Sequence, residues 1–382
     1  MKRVLIVSPS NKGTIGRCSM NLYKAFQMRK DVIVKFVCLH YYEEGFEELK
    51  DCEYCKKYRR RNIFQKLLLE IKKSVWLNKI KKQFKPDVSI STLISCSNAS
   101  VLAGGKDFKV GIFHAGIEQY GLYTGRLSLM LYRFLFPKLD RLECVCKSIQ
   151  TSMISNYKNI SLSKIGITYN VHFKEDLVRK SEEPLEVVDS DIFKTKTILF
   201  VGRLEAIKAP ERIIKSLALS KLKDEYQLVF VGADNNGYQC KLEKIAEDVK
   251  LIERVHFLGL KSNPYKYMSH SNMLVLSSKN EGLPGVLIES LLIGTPIIST
   301  NSSIGIWEIL GCENEFDKGL NTVFIANNGL ITSNLEDEDL NIQNMKTAIE
   351  YLHCHDLRNR EFGFEAKVNP LEITKHLLNE QD

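Results

Sequence analysis

The sequence predicts an α/β protein of two doubly wound domains, and three observations carry that prediction. Short, continuously apolar runs recur along the chain, as strands of a buried parallel sheet do. Each run leads into a Gly- or Pro-containing loop and then into a segment of helical periodicity. The alternation lapses over Phe173–Lys196, a charged and aperiodic stretch that reads as a linker, and then restarts. A chain of 382 residues has room for two full cores. Its 44% hydrophobic and 26% charged residues argue against disorder and against a membrane bundle alike.

In the first half, Val4–Val7 reads as a buried strand, followed by Asn11-Lys12-Gly13-Thr14-Ile15-Gly16 and a helix through Met20, Tyr23 and Phe26. Strand, Gly-containing loop and helix is the layout of a phosphate cradle. Only two glycines stand where a dinucleotide fingerprint has three, and the Gly-Lys-Ser/Thr ending of a P-loop is missing. Val32–Cys38 is the second strand. Asp87–Ser91 and Lys109–Phe113 read as further parallel strands, the latter ending at His114-Ala115-Gly116. A histidine just past the carboxyl end of a strand is where open α/β sheets place ligand-contacting groups. Leu142–Cys146 and Ile165–Tyr169 close the first half, with a helix from Ser148 to Asn156 between them.

In the second half, Thr197–Val201 ends in Gly202-Arg203-Leu204-Glu205-Ala206-Ile207-Lys208-Ala209-Pro210, and a helix follows from Ile213. Two cations five residues apart at a strand's carboxyl end suit one diphosphate, Arg by its planar fork and Lys as a point charge. Tyr226–Val231 and Val255–Leu258 are the next strands. Ser277–Thr300 reads as strand end, Gly/Pro loop, helix from Val286 to Leu292, and a second strand at Ile297-Ile298, with Gly294 and Pro296 ending the helix. Glu281 and Glu289 lie across that loop and helix. Ionised carboxylates accept paired hydrogen bonds from hydroxyls, and a helix N-terminus offers N–H groups to an anion. The same spacing also suits a plain turn with two exposed acids. Asn328–Ile331 and a helix over Asn344–Leu352 complete the half.

The net charge of +8 conceals an asymmetry. Residues 1–180 hold 33 Lys+Arg against 15 Asp+Glu, a balance of +18, and the remainder carries −10. Much of the excess lies in Lys56–Lys85, with twelve basic residues and one acid, Glu70. Apolar residues repeat there at helical spacing, which fits either a domain helix with a solvated face or a basic surface resting on anionic lipid. No nucleic-acid module accompanies it. The ten cysteines are scattered as reduced structural thiols are, and Cys52-Glu-Tyr-Cys55 lacks the second pair of a zinc site. Asp189-Ser190-Asp191 and Asp337-Glu338-Asp339 sit in polar surroundings, as solvated acids rather than metal ligands. The apolar start stops at Ser8-Pro9-Ser10, short for an export signal, and no apolar run reaches membrane-spanning length.

The second half resembles the nucleotide-sugar-binding domain of the retaining glycosyltransferases of family four, which have the GT-B fold. The matching pieces are Val201-Gly202-Arg203-Leu204 with Lys208, Phe230-Val231-Gly232, Val255–Gly259, Glu281-Gly282-Leu283-Pro284 with Glu289, Gly294–Ile298 and Glu308. The first half agrees through Gly13, Gly16, His114, Cys146-Lys147-Ser148 and Ile167–Asn170. The resemblance implies two Rossmann-like domains facing each other across a cleft: 1–180 for the acceptor, 195–365 for the nucleotide sugar, and a helix in 371–382 packing back toward the first.

It also implies roles. Arg203 and Lys208 would neutralise the donor diphosphate, and Glu281 would hold hydroxyls of the sugar, with His114 near the anomeric carbon. Gly16, Gly202, Leu258, Gly282, Leu283 and Glu289 would complete the donor site, Glu289 on the ribose. Retention without metal or cofactor is implied, from a UDP-linked sugar onto a lipid-linked or polysaccharide acceptor, as in capsule or O-antigen synthesis. The basic domain would rest on an anionic membrane surface, placing the protein in the cytoplasm at the inner face of the membrane. The loop Asn11–Gly16 departs from the family in lacking paired glycines. A sugar-nucleotide epimerase of the same fold and a non-catalytic partner subunit are the competing readings.

Overall fold

The computed structural model describes all residues except 44, 47–48, 50–51, 56–62, 116–131, 359 and 381–382, and only the backbone of 63–67. The chain forms two compact units, Met1–His172 with Ala366–Asp382, and Phe173–Glu365.

The first unit is built on a seven-stranded parallel sheet: β1 (Lys2–Ser10), β2 (Val32–His40), β3 (Glu53–Tyr54), β4 (Val88–Ser91), β5 (Phe108–Phe113), β6 (Arg141–Cys144) and β7 (Ile165–Ile167). Their spatial order is 3-2-1-4-5-6-7. Val4 to Val7 is wholly buried, as expected of a central strand covered on both faces. Leu5, Val7, Val37 and Leu39 pack with Leu77, Ile80, Cys96 and Ala99 from the Ile63–Phe84 and Ile94–Ala103 helices.

The second unit repeats the plan with β8 (Lys196–Val201), β9 (Tyr226–Val231), β10 (Val255–Gly259), β11 (Met273–Leu276), β12 (Ile297–Thr300), β13 (Phe324–Ile325) and β14 (Gly329–Thr332). The order is 10-9-8-11-12-14-13, parallel except for β13, which runs antiparallel to β14 at the edge. The direction of winding reverses between β1 and β4 in one sheet and between β8 and β11 in the other. The loops beyond those strands' carboxyl ends are where doubly wound sheets bind ligands. Gly13–Gly16 and Thr92 occupy that position in the first unit, and Gly202–Pro210 and Ser277–Pro284 in the second.

Several expectations are corrected. Phe173–Lys196 is not a linker, because the second unit begins at Phe173 rather than at 195. Lys174–Ser181 is helical, buries Leu177, and packs on the helices Tyr265–His270 and Gly285–Ile293. Its apolar face is a single leucine and a serine, too sparse to show as periodicity. Asp189 is not solvated: it accepts from Tyr267 Oη at 2.7 Å and pairs with Lys261 at 2.9 Å. Asp337, by contrast, is exposed as expected, and it caps the helix Glu338–Cys354 by accepting from the Leu340 N–H.

The basic helix divides. Lys73 is buried against Glu70 at 2.7 Å, and Lys81 is buried on Asp107 at 2.8 Å and on Ser100. Burial pushes the Lys81 ammonium below its usual range although Asp107 opposes the shift. Lys56–Lys57, Arg59–Arg61 and Gly116 fall outside the described residues. Among the described residues no helix is long and apolar enough to cross a membrane. All ten cysteines are free thiols.

Candidate active site

Three strand ends in the second unit are stitched together by backbone. The Gly202 N–H donates to the Val231 carbonyl at 3.0 Å, and the Gly232 N–H to that of Gly259 at 2.8 Å. A side chain at Gly232 would put its Cβ 1.8 Å from the Gly202 oxygen, so only glycine permits this approach. Leu258 lies half-buried on edge strand β10 beside Phe257, which stacks on Phe230 at 5.1 Å.

The loop after β8 is then tied to the loop after β11. Ser277 Oγ donates to the Lys208 carbonyl at 2.9 Å, and the Lys279 N–H to that of Ile207 at 2.8 Å. This brings the two sequence-distant candidates together: Lys208 Nζ donates to Glu281 Oε1 at 2.6 Å, with both side chains mostly buried. Ser278 Oγ donates to the same oxygen at 2.7 Å, leaving Glu281 Oε2 for another donor. The Glu281–Leu283 backbone is fixed from the far side: Ser303 Oγ donates to the Gly282 carbonyl at 2.8 Å. Gly305 packs so closely that a Cβ there would lie 2.3 Å from the Gly282 oxygen.

Beneath these loops sits Arg212, which the sequence reading missed. Its buried guanidinium donates to both Glu338 carboxylate oxygens at 2.7 Å, to Asn334 Oδ1 at 2.8 Å and to the Ser277 carbonyl at 3.3 Å. Asn334 Nδ2 donates in turn to the Lys279 carbonyl at 2.9 Å. The Arg212 pairing holds the Glu338 carboxyl below its usual range. The polar residue at 212, between the apolar Pro210 and Ile213–Ile214, was the available signal.

The helix Gly285–Ile293 starts at Pro284 with no side-chain cap, so its first N–H groups face the loop that carries Gly282 and Leu283. Glu289 lies one turn in and accepts from Tyr265 Oη at 3.4 Å. Arg203 stands apart from the Lys208–Glu281 pair. Its guanidinium is mostly exposed and lies 2.9 Å from Glu205 Oε1, an ion pair without hydrogen-bond alignment.

In the first unit, Gly16 and His114 sit at the carboxyl ends of β1 and β5. A Cβ at Gly16 would come within 3.1 Å of the Ser10 oxygen and 3.6 Å of Phe46. Gly13 holds φ at +76°, where a side chain is strained. His114 helps line a small pocket with Cys18, Thr92, Thr168 and Asn170. Its Nε2 is buried without a hydrogen-bond partner among the described residues, and burial lowers its pKa to about 4. The ring is therefore neutral at pH 7.

Residues 188–331 match the family described as glycosyl transferases group 1. An uncharacterized glycosyltransferase of Methanocaldococcus jannaschii is 28% identical over 333 residues, 80% of each chain. A Campylobacter jejuni enzyme is 26% identical over 328 residues, covering 82% of this chain and 86% of that one. Its name describes an alpha-1,4-N-acetyl-D-galactosaminyltransferase acting on an undecaprenol-diphosphate-linked glycan. The crystal structure of Anabaena HepE with UDP-glucose superposes with a TM-score of 0.70 at 16% identity over 99% of both chains, a likeness of fold. Residues 188–331 are thus similar to the group 1 glycosyl transferases, and the two parallel-sheet units have the GT-B fold.

Proposed function

We propose that the chain transfers a sugar, with retention and without a metal, from a UDP-linked donor to a lipid-linked saccharide in the synthesis of a surface polysaccharide. The observation that carries this is the Lys208–Glu281–Ser278 cluster, poised at the winding reversal of the second sheet beside an uncapped helix start. A cation next to an ordered carboxylate suits a ligand that is diphosphate on one side and polyol on the other. In this reading Lys208 and Arg203 neutralise charge as it grows on the leaving diphosphate. Glu281 Oε2 accepts from sugar hydroxyls, Glu289 from the ribose, and the N–H groups at Gly282–Leu283 contact the donor.

Gly202 keeps the diphosphate loop close to the sheet, and Leu258 borders the base. Gly16 and the neutral His114 serve from the first unit. Departure of the diphosphate and attack by the acceptor occur on one face of the sugar, and a phosphate oxygen takes the acceptor proton. The Campylobacter relative's lipid-linked substrate supports an acceptor of that class here. The excess of Lys and Arg in the first half supports seating on an anionic membrane surface at its cytoplasmic side.

Glu281→Ala, assayed with UDP-sugars and an undecaprenyl-diphosphate-linked acceptor, is expected to lose about 100-fold or more in kcat while still unfolding cooperatively. Product NMR should show the donor's anomeric configuration, and turnover should survive EDTA. Unchanged turnover in Glu281→Ala removes Glu281 from the mechanism, and an inverted anomer overturns retention. Donor consumed at full rate without acceptor would favour the epimerase.

A further inference from the structure

The first unit gathers thiols that sugar transfer does not use. Cys38, buried near the end of β2, places its Sγ 3.5 Å from Sγ of the partly exposed Cys52. Register explains the meeting. Glu53 pairs with Val37 and Tyr54 with Cys38, so the residue entering β3 lies alongside the strand that carries Cys38. Cys55, also buried, donates its N–H to the Cys38 carbonyl at 3.1 Å. A disulfide needs its sulfurs about 2 Å apart, so the pair is roughly 1.5 Å from bonding distance.

The loop between the two cysteines grips the Gly13–Gly16 turn. Asn11, buried at the end of β1, donates through Nδ2 to the Tyr42 carbonyl at 2.7 Å and accepts from the Tyr42 N–H at 2.8 Å. The Phe46 N–H donates to the Asn11 carbonyl at 2.9 Å. Gly45 lies so close that a Cβ would sit 1.9 Å from Asn11 Nδ2. Whatever fixes Cys52 to β2 therefore fixes the clasp on that turn.

We propose that Cys38 and Cys52 are a reversible redox couple, oxidised by hydrogen peroxide to a disulfide that tightens the Tyr42–Phe46 clasp on the Gly13–Gly16 turn. The hydrogen bond to Cys52, and then burial, hold the Cys38 thiol well above its usual range, and Cys52, the less buried of the two, is the one that peroxide meets first. The Cys52 thiolate attacks one peroxide oxygen, the O–O bond breaks, and hydroxide leaves to be protonated as water. Cys52 is then a sulfenic acid. Sγ of Cys38 gives up its proton and attacks the Cys52 sulfur, expelling the hydroxyl as a second water. Two thiols are oxidised to one disulfide and one peroxide is reduced to two waters.

The test treats the full chain with stoichiometric peroxide and follows intact mass, peptide mapping and amide exchange. The expected result is loss of two hydrogens, a Cys38–Cys52 cross-link, reversal by dithiothreitol, and slower exchange at the Tyr42 and Phe46 amides. Cys52→Ser should lose no hydrogens, and Cys38→Ala should leave a sulfenic acid on Cys52 that dimedone traps. The wild-type map and Cys52→Ser decide the question even if Cys38→Ala fails to fold. A Cys52–Cys55 bond, or a lasting dimedone adduct on Cys52 in the wild type, overturns the couple. Exchange at Tyr42 and Phe46 that does not change on cross-linking overturns the clasp.

Discussion

Lys208 and Glu281 are held by partners within the second unit. Ser277 positions the lysine's carbonyl, Ser278 the glutamate's carboxylate, and Ser303 the neighbouring Gly282. Their geometry is thus fixed by the protein alone, which is what the proposed electrostatic role requires. Arg212 has the same office one layer down. Replacing it with Ala strands the Ser277 carbonyl, Asn334 Oδ1 and both Glu338 carboxylate oxygens without their donor. Glu338 is half exposed and regains water, so the loss is on the order of 1–2 kcal/mol. Urea unfolding of Arg212→Ala should show that loss, and donor affinity should fall with it. The two carboxylates were legible in the sequence because Gly and Pro frame them. Arg212 was not, since its side-chain partners stand 122 and 126 residues away, and a cation beside apolar residues reads as a solvated helix face.

The Ile63–Phe84 helix shows the limit of reading an element by composition. Its lysines looked equivalent, yet Lys73 and Lys81 are consumed by Glu70 and Asp107, and Lys72, Lys79 and Lys82 face outward. On that outward side Leu68, Ile71 and Val75 are each about half exposed, at 51%, 49% and 55%. Apolar side chains flanked by exposed ammonium groups make the face that interfacial helices present to anionic lipid. Changing Lys72, Lys79 and Lys82 to Gln should therefore reduce sedimentation with phosphatidylglycerol vesicles severalfold and leave neutral phosphatidylcholine unaffected. Changing Lys73 and Lys81 should instead lower the unfolding temperature. Equal vesicle binding by the first variant and the wild type would separate this helix from the membrane. Buried strands were read closely because continuous burial leaves an unmistakable apolar run, whereas the two-residue edge strands Glu53–Tyr54 and Phe324–Ile325 were missed. The helix Lys174–Ser181 was passed over because only Leu177 and Ser181 face inward.

At the scale of the molecule, the two units differ in how they meet acid. His114 and His172, both in the first, have pKa values lowered to about 4 by burial. Above the unfolded value near 6.5 neither state binds the proton, so the histidines cost nothing. As pH falls from about 6.5 to 4 the unfolded chain takes up protons that the folded unit refuses, and stability declines. Below about 4 both states are protonated and the loss stops growing. For His172 this amounts to on the order of 3 kcal/mol, with a smaller addition from His114, which is partly exposed. Protection factors of the β5 and β6 amides, which correct for the intrinsic slowing of exchange in acid, should fall over that interval, and less so in His172→Gln. Protection factors that stay level from pH 6.5 to 4.5 would contradict it.

The segment Ala366–Asp382 belongs to the first unit. Its helix Pro370–Leu377 is held there where Arg141 donates to the His376 carbonyl at 2.9 Å, and where Glu380 pairs with Lys2 at 2.9 Å and Arg29 at 2.6 Å. In order of synthesis, the second unit is therefore complete at Glu365, while the first, begun earlier, still lacks its closing helix. On the ribosome the later-made half can finish folding first. The earlier-made half has to keep a helix-sized apolar strip uncovered until Ile373 and Leu377 emerge to cover it.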